Sequence, residues 1–284
     1  MTSVPVDRLY VAVEDRRPAL VDAIRCARRE ITLSLFRCND EAIVDELAAA
    51  TARGVAVDVL VTSRSKGGHR RRQKLWDTLG RTGATLHAYS DPVVKYHAKY
   101  LVVDDGPAVV ASLNFTRKCF RRTLDALVVT HDPEVVSGLR RLMAADRDRR
   151  QIPADLSPRL IVGPERARRQ LTGLIEQARS SIRLIDAKLS DPDLATLLNA
   201  RRASGLTVEV FSSKRLGGLK SHGKLLLIDD SVAVIGSLAL AAISLGFRRE
   251  VAIVVDEPDA VAEVRTLFRS IDTAPRISAE GLAL

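Results

Sequence analysis

Two sets of chemically capable residues recur along this chain. His97-x-Lys99-x4-Asp104 is followed by Ala111-Ser112-x-Asn114, and His222-x-Lys224-x4-Asp229 by Gly236-Ser237-x-Ala239. An acid then follows each histidine by 28 residues, Asp125 in the first set and Glu250 in the second. Histidine, with an ordinary pKa of about 6.5, can act as nucleophile or as proton carrier near neutrality. Ammonium, hydroxyl and amide donors suit the spread charge of a phosphate. Brought together, the two sets make a cationic phosphate pocket with paired acid and base groups. One imidazole can attack phosphorus while the other protonates the leaving oxygen. The second then deprotonates the water or alcohol that breaks the phosphohistidine. Asp125 and Glu250 can hold the imidazoles in the required tautomer. Ser112, Asn114 and Ser237 are the expected phosphate donors. A single H-x-K would be chance, and His69, His87 and His131 read as surface or core residues. A lysine two residues from each histidine repels cations, so neither a metal nor another cofactor is expected.

These residues need elements that repeat as well. Ala23 to Phe36 (AIRCARREITLSLF) aligns without gaps on Leu174 to Ala187 (LIEQARSSIRLIDA), 151 residues later. Each reads as a helix end followed by a strand, with Ile31, Leu33 and Leu35 alternating with Thr32 and Ser34. Asp40 to Gly54 then reads as a helix capped by Asp40 and stopped by Gly54, and Val55 to Val61 as a buried strand. Asp191 to Val210 repeats that plan. The two H-x-K motifs are only 125 residues apart, so the first half carries 26 extra residues within Ser63 to Tyr96. HRRRQKLWDTLG in this insert predicts a helix and ATLHAY a strand. YHAKYLVVD reads as a strand that points His97 and Lys99 to one face. Strand–helix alternation predicts an α/β fold of mixed sheets flanked by helices. Prolines 153, 158 and 164 place the join near 155, giving lobes 1–155 and 156–284 related by a pseudo-two-fold. The chain then needs no second copy, a monomer with a pseudo-dimeric site.

On these motifs the chain resembles the phospholipase D superfamily, whose signature is H-x-K-x4-D followed by G-S-x-N, twice per active site. The resemblance covers nearly the whole chain. It implies two α/β sandwich lobes with the site between them, and a phosphohistidine mechanism without metal. It further implies His97 as nucleophile, His222 as general acid, and supporting roles for Asp104 and Asp229. Two positions depart from the signature. Ala111 replaces the first glycine, a mild change, and Ala239 replaces the second asparagine, removing one phosphate donor.

Composition bounds the substrate less tightly. With 46% hydrophobic and 28% charged residues the chain is ordinary globular protein. Cys26, Cys38 and Cys119 form no C-x-x-C pair and read as reduced thiols, which with the polar N-terminus predicts a cytoplasmic protein. Ser231 to Phe247 is uncharged over 17 residues, but its counterpart carries Arg117, Lys118, Arg121 and Arg122, so no transmembrane segment is expected. The net charge of +9 favours polyanions. The insert concentrates it: Arg64, Lys66, Arg70, Arg71, Arg72, Lys74 and Arg81 against Asp77. Such a helix can dock on anionic lipid at the inner membrane face, follow a nucleic-acid backbone, or be a solvated face. The expected function is phospholipid hydrolysis or phosphatidyl transfer, of phospholipase D or cardiolipin synthase type. Nuclease cleavage of DNA or RNA stays open, as does an inactive polyanion-binding module.

Overall fold

The computed structural model describes residues 6–63 and 68–271. Two mixed sheets form the frame. The first runs, edge to edge, Asp7–Tyr10, Leu127–Thr130, Ala108–Ala111, Tyr100–Val103, Glu30–Leu35, Ala56–Thr62 and Thr85–Tyr89. The second runs Leu160–Val162, Val251–Val255, Val232–Gly236, Lys224–Ile228, Ser181–Ile185 and Thr207–Phe211. Six strands of the first sheet match the second in order and direction. The seventh, Thr85–Tyr89, belongs to the insert, as does the helix Gly68–Gly80. It extends the first sheet by pairing in parallel with Ala56–Thr62. Arg64 and Lys66 of the insert lie outside the described residues, as does the side chain of Arg71.

The sheets stack face to face. Val110 and Val128 of one and Ile235 and Ile253 of the other share a single core with the helices Pro133–Arg147 and Pro258–Ile271. Separate cores lie under the outer helices of each lobe. Central strands such as Tyr100–Val103 and Lys224–Ile228 are therefore buried along their whole length, which is why, Lys224 of the site apart, they are apolar throughout rather than alternating. Asp191 caps the helix Pro192–Ala203, accepting from the Leu194 amide at 3.1 Å. Its counterpart Asp40 precedes the helix Glu41–Ala52 but makes no side-chain cap; its carboxylate is engaged by Arg17 at 2.7 Å.

Buried ion pairs pin the lobes together. Arg249 donates across the lobes to Asp146 at 2.8 Å and, within its own lobe, to Glu165 at 2.5 Å. Arg159 donates to Asp132 at 2.7 Å and also to Asp7.

The expected strand through His97 and Lys99 is broken. Lys95–Tyr96 is a short strand, Tyr100–Val103 a separate one, and residues 97–99 lie between them in neither. The reason is a change of partner. Lys95–Tyr96 pairs in parallel with Arg248–Arg249 of the other lobe, whereas Tyr100–Val103 pairs within its own sheet. The second lobe repeats this: Leu219–Ser221 pairs in parallel with Thr123–Leu124 of the first. His97 and His222 thus sit where the chain crosses from an inter-lobe ladder to a lobe's own sheet.

Candidate active site

Each ladder stops one residue short of a histidine on one strand and of a carboxylate on the other. Arg248 pairs with Lys95 and Arg249 with Tyr96, so Glu250 comes next to His97. Lys220 pairs with Thr123 and Ser221 with Leu124, so Asp125 comes next to His222. Backbone bonds continue the register: the His97 amide donates to Arg249 O at 2.9 Å, and the Gly223 amide to Leu124 O at 2.7 Å. Each imidazole therefore meets the acid of the opposite lobe. His97 Nδ1 lies 2.7 Å from Glu250 Oε1, and His222 Nδ1 lies 2.9 Å from Asp125 Oδ1. In both rings Nδ1 is occupied and Nε2 is left for chemistry.

The lysines lie close behind. Lys99 and Lys224 are buried, and each donates to the carbonyl of its own histidine at 2.5 Å. Lys99 Nζ also lies 3.2 Å from His97 Nδ1 and 5.5 Å from the Phe36 ring centroid. Phe36 meets the His97 ring edge-on at 4.7 Å. Burial first, then the Lys99 charge, pushes His97 down to about 3. Burial likewise pushes Lys99 down to about 7. His97 is thus a neutral imidazole at physiological pH, the form with a free lone pair.

The carboxylates are charged despite full burial. Burial opposes the charge of Glu250, but its pairing with His97, the Ser244 hydroxyl and the Lys99 charge outweigh that and hold it below the usual range. Asp125 is held low in the same way: burial opposes, and His222, the Thr123 hydroxyl and Lys224 prevail. Behind Asp125 the fully buried Arg16 donates to Thr123 O at 3.0 Å and to Cys119 O at 3.4 Å.

The two serines stand elsewhere than expected. Ser112 donates to Asp125 at 2.7 Å and accepts from the Ala126 amide at 2.9 Å. Ser237 donates to Val251 O at 3.3 Å and accepts from the Val251 amide at 3.1 Å. Both are buried and both hydroxyls are engaged, so they brace the segments carrying the carboxylates instead of facing a phosphate. Asn114 is buried and its Oδ1 has no partner among the described residues. Ala239 in the matching position offers only its backbone, whose N–H donates to Glu250 Oε2 at 3.3 Å. Asp104 and Asp229 lie at the far ends of their strands in left-handed turns (φ 43° and 53°). Asp104 accepts from the amides of Arg28, Arg29 and Glu30, and Asp229 from those of Arg179, Ser180 and Ser181. Both tie a strand start to a turn and support the sheet.

Other residues here carry no motif. Asp186, fully buried, accepts from the amides of Leu240 at 2.6 Å and Lys188 at 2.8 Å. Burial raises its carboxyl, against the Lys224 charge. The one sequence signal is a mismatch in the repeat: Leu35 occupies the aligned position. Cys119, Asp125 and His222 place ligand atoms within 4.8 Å of one another. There Asp125 already accepts from Ser112, Thr123 and His222, so the trio serves the imidazole and is a poor metal cradle. A groove of about 760 Å³ opens beside Phe36, lined by Arg37, Arg72, Lys74, Arg81, Arg117 and Lys118 among others. The insert helix thus lines a groove whose Phe36 also meets the His97 ring.

No helix among the described residues is long and apolar enough to cross a membrane. Residues 20–147 match the family model "Cardiolipin synthase, PLD-like domain". The structure of polyphosphate kinase from Porphyromonas gingivalis is similar with a TM-score of 0.78 and 22% identity, over 96% of this chain and 49% of that one. The chain therefore spans about half the length of that kinase. Phosphatidylserine synthase from Haemophilus influenzae Rd KW20 gives a TM-score of 0.70 and 12% identity, over 98% of this chain and 89% of that one. A comparison with curated proteins gave no significant match. The first lobe thus carries the match to a PLD-like domain, and the two-lobed fold is shared with these structures over nearly the whole chain.

Proposed function

We propose that this chain is a metal-independent phosphodiesterase that hydrolyses phospholipid, or transfers its phosphatidyl group, through a phosphohistidine on His97. The observation that carries the reading is the reciprocal pairing of His97 with Glu250 and His222 with Asp125 across the lobes.

In the first step Nε2 of neutral His97 attacks phosphorus and the bond to the leaving oxygen breaks. His222 delivers its Nε2 proton to that oxygen. The phosphorylated imidazole is a cation, and ionised Glu250 at its Nδ1 stabilises it. Lys99, Lys224 and the Asn114 amide bear on the non-bridging oxygens. In the second step water or an alcohol attacks phosphorus, His222 takes its proton, and the P–N bond breaks to return His97. The burial of His97 supports its role as nucleophile, because it favours the neutral ring.

The matched family description and the shared fold of a phosphatidylserine synthase support a phospholipid. Nucleic acid is the second reading, favoured by the basic groove beside Phe36, which suits a strand of phosphates. Turnover in excess chelator tests both. The protein and its His97→Ala variant are given anionic phospholipid vesicles in one series and single-stranded and duplex nucleic acid in another. Lipid turnover lost in the variant is expected. Cleavage of nucleic acid alone would move the assignment to a nuclease. Binding of polyanion with no turnover would leave an inactive binding module.

A further inference from the structure

Three of the four large apolar side chains that stand far into solvent among the described residues are Val93, Ile243 and Phe247. They share one place. Ile243 and Phe247 are four apart on the helix Ala242–Phe247, hence on one face. The other face is buried, with Ser244 donating to Glu250, the carboxylate of His97. Phe247 precedes Arg248, whose ladder partner is Lys95, and Val93 lies two residues before Lys95. These apolar groups therefore form one lip of the cleft that holds His97.

The opposite lip has different chemistry. The first-lobe counterpart, Arg117–Arg122, lies 125 residues earlier and packs beside Thr123 and Asp125 as its twin packs beside Arg248 and Glu250. At the positions of Ile243 and Phe247 it carries Lys118 and Arg122, both exposed, with Arg117 and Arg121 exposed beside them. Arg117 is paired with Glu41 at 3.2 Å. Pseudo-two-fold symmetry sets both helices at the same height around the site. One edge is thus apolar and the other cationic.

Isolated exposed apolar residues are ordinary; an apolar lip facing a basic lip across a reactive cleft is the composition of an interfacial binding face. We propose that the two lips together dock the enzyme on an anionic phospholipid bilayer. Ile243 and Phe247 enter the acyl boundary, with Val93 beside them. Lys118, Arg121 and Arg122 meet the anionic headgroups. The ester to be cleaved is then presented to His97 without leaving the membrane. This inference rests on the phospholipid reading of the site, and gives the apolar lip a purpose that a soluble polyanion would not.

Partition onto phosphatidylglycerol vesicles is measured by co-sedimentation, in a His97→Ala background so that no lipid is consumed. Adding Ile243→Ser with Phe247→Ser is expected to weaken partition at least tenfold at both low and high salt. Adding Lys118→Ser with Arg122→Ser is expected to weaken it at low salt and to flatten the salt dependence. In the otherwise wild-type chain the apolar pair of substitutions should lower vesicle turnover at least tenfold. It should leave turnover of monomeric dihexanoyl phosphatidylglycerol unchanged, which also shows that the fold is intact. Vesicle partition unaltered by the apolar pair would overturn the docking face, as would a dimer or a single-stranded DNA complex that alone depended on Phe247. Phe247-dependent partition without turnover of either lipid would instead overturn the substrate and keep the docking face.

Discussion

Replacing Glu250 by glutamine tests the reciprocal pairing at its most exacting point. Glu250 is fully buried, its Oε2 accepts from Ser244 and the Ala239 amide, and its Oε1 faces His97. A glutamine must keep its carbonyl toward those two donors, so its NH2 turns to His97 Nδ1. The ring then has to accept at Nδ1 and carry its proton on Nε2, which removes the attacking lone pair. The cation formed on attack also loses its counter-charge. Two unit charges about 4 Å apart interact by about 4 kcal/mol at the effective dielectric of a protein site, which is roughly a thousandfold in rate. The assay is the burst of phosphoenzyme formation with two phosphodiesters, one releasing p-nitrophenolate and one a simple alkoxide. Glu250→Gln should suppress the burst about a thousandfold with both. Asp125→Asn, acting on the proton donor His222, should suppress it with the alkoxide and largely spare it with p-nitrophenolate, which needs no proton to leave. The opposite pattern would make His222 the nucleophile. A loss under tenfold with Glu250→Gln would refute the role given to the inter-lobe pairing.

Three further outcomes follow from the same geometry. His97 is pushed down to about 3 in the folded chain, against about 6.5 unfolded. Below pH of about 6.5 the unfolded chain takes a proton the folded one refuses, so this stability is complete above that pH and is lost as pH falls toward about 3. Urea denaturation between pH 7 and pH 5 should show the wild type losing about 2 kcal/mol more than His97→Gln; equal losses would contradict the burial argument. Gly223→Ala should cut turnover at least tenfold, since a Cβ there would meet Leu124 O at 2.8 Å and Asp125 Cα at 3.2 Å and displace the acid that holds His222. An unchanged rate constant would mean that the ladder tolerates displacement. Arg249→Met should cost about 3–5 kcal/mol by denaturation, because Asp146 would be left buried without its cation. Adding Asp146→Leu should recover much of that loss, and no recovery would place the role of Arg249 elsewhere.

Much was legible in the sequence because it is local or periodic. The doubled H-x-K-x4-D, the repeat spacings and the alternation of Ile31, Leu33 and Leu35 depend on neighbours a few residues away. The chemistry of two imidazoles and two lysines around a phosphate follows from residue type alone. So did the added helix and strand, since an insertion into one of two copies marks itself by the change in spacing from 151 to 125 residues. Tertiary structure alone decided which acid serves which histidine. The two ladders join Lys95 to Arg248 and Lys220 to Thr123, and two-residue strands between distant segments leave no periodic trace. It also decided that Ser112 and Ser237 are spent on hydroxyl bonds behind the carboxylates, which spacing does not distinguish from donors aimed into the cleft. Asp186 came to the site through burial against Lys224, with only a mismatch to Leu35 to mark it. The contrast between Ile243 with Phe247 and Lys118 with Arg122 was written in the chain. It acquired meaning only when folding set the two helices on opposite sides of one cleft, because a surface exists only after the core has chosen which residues to leave outside.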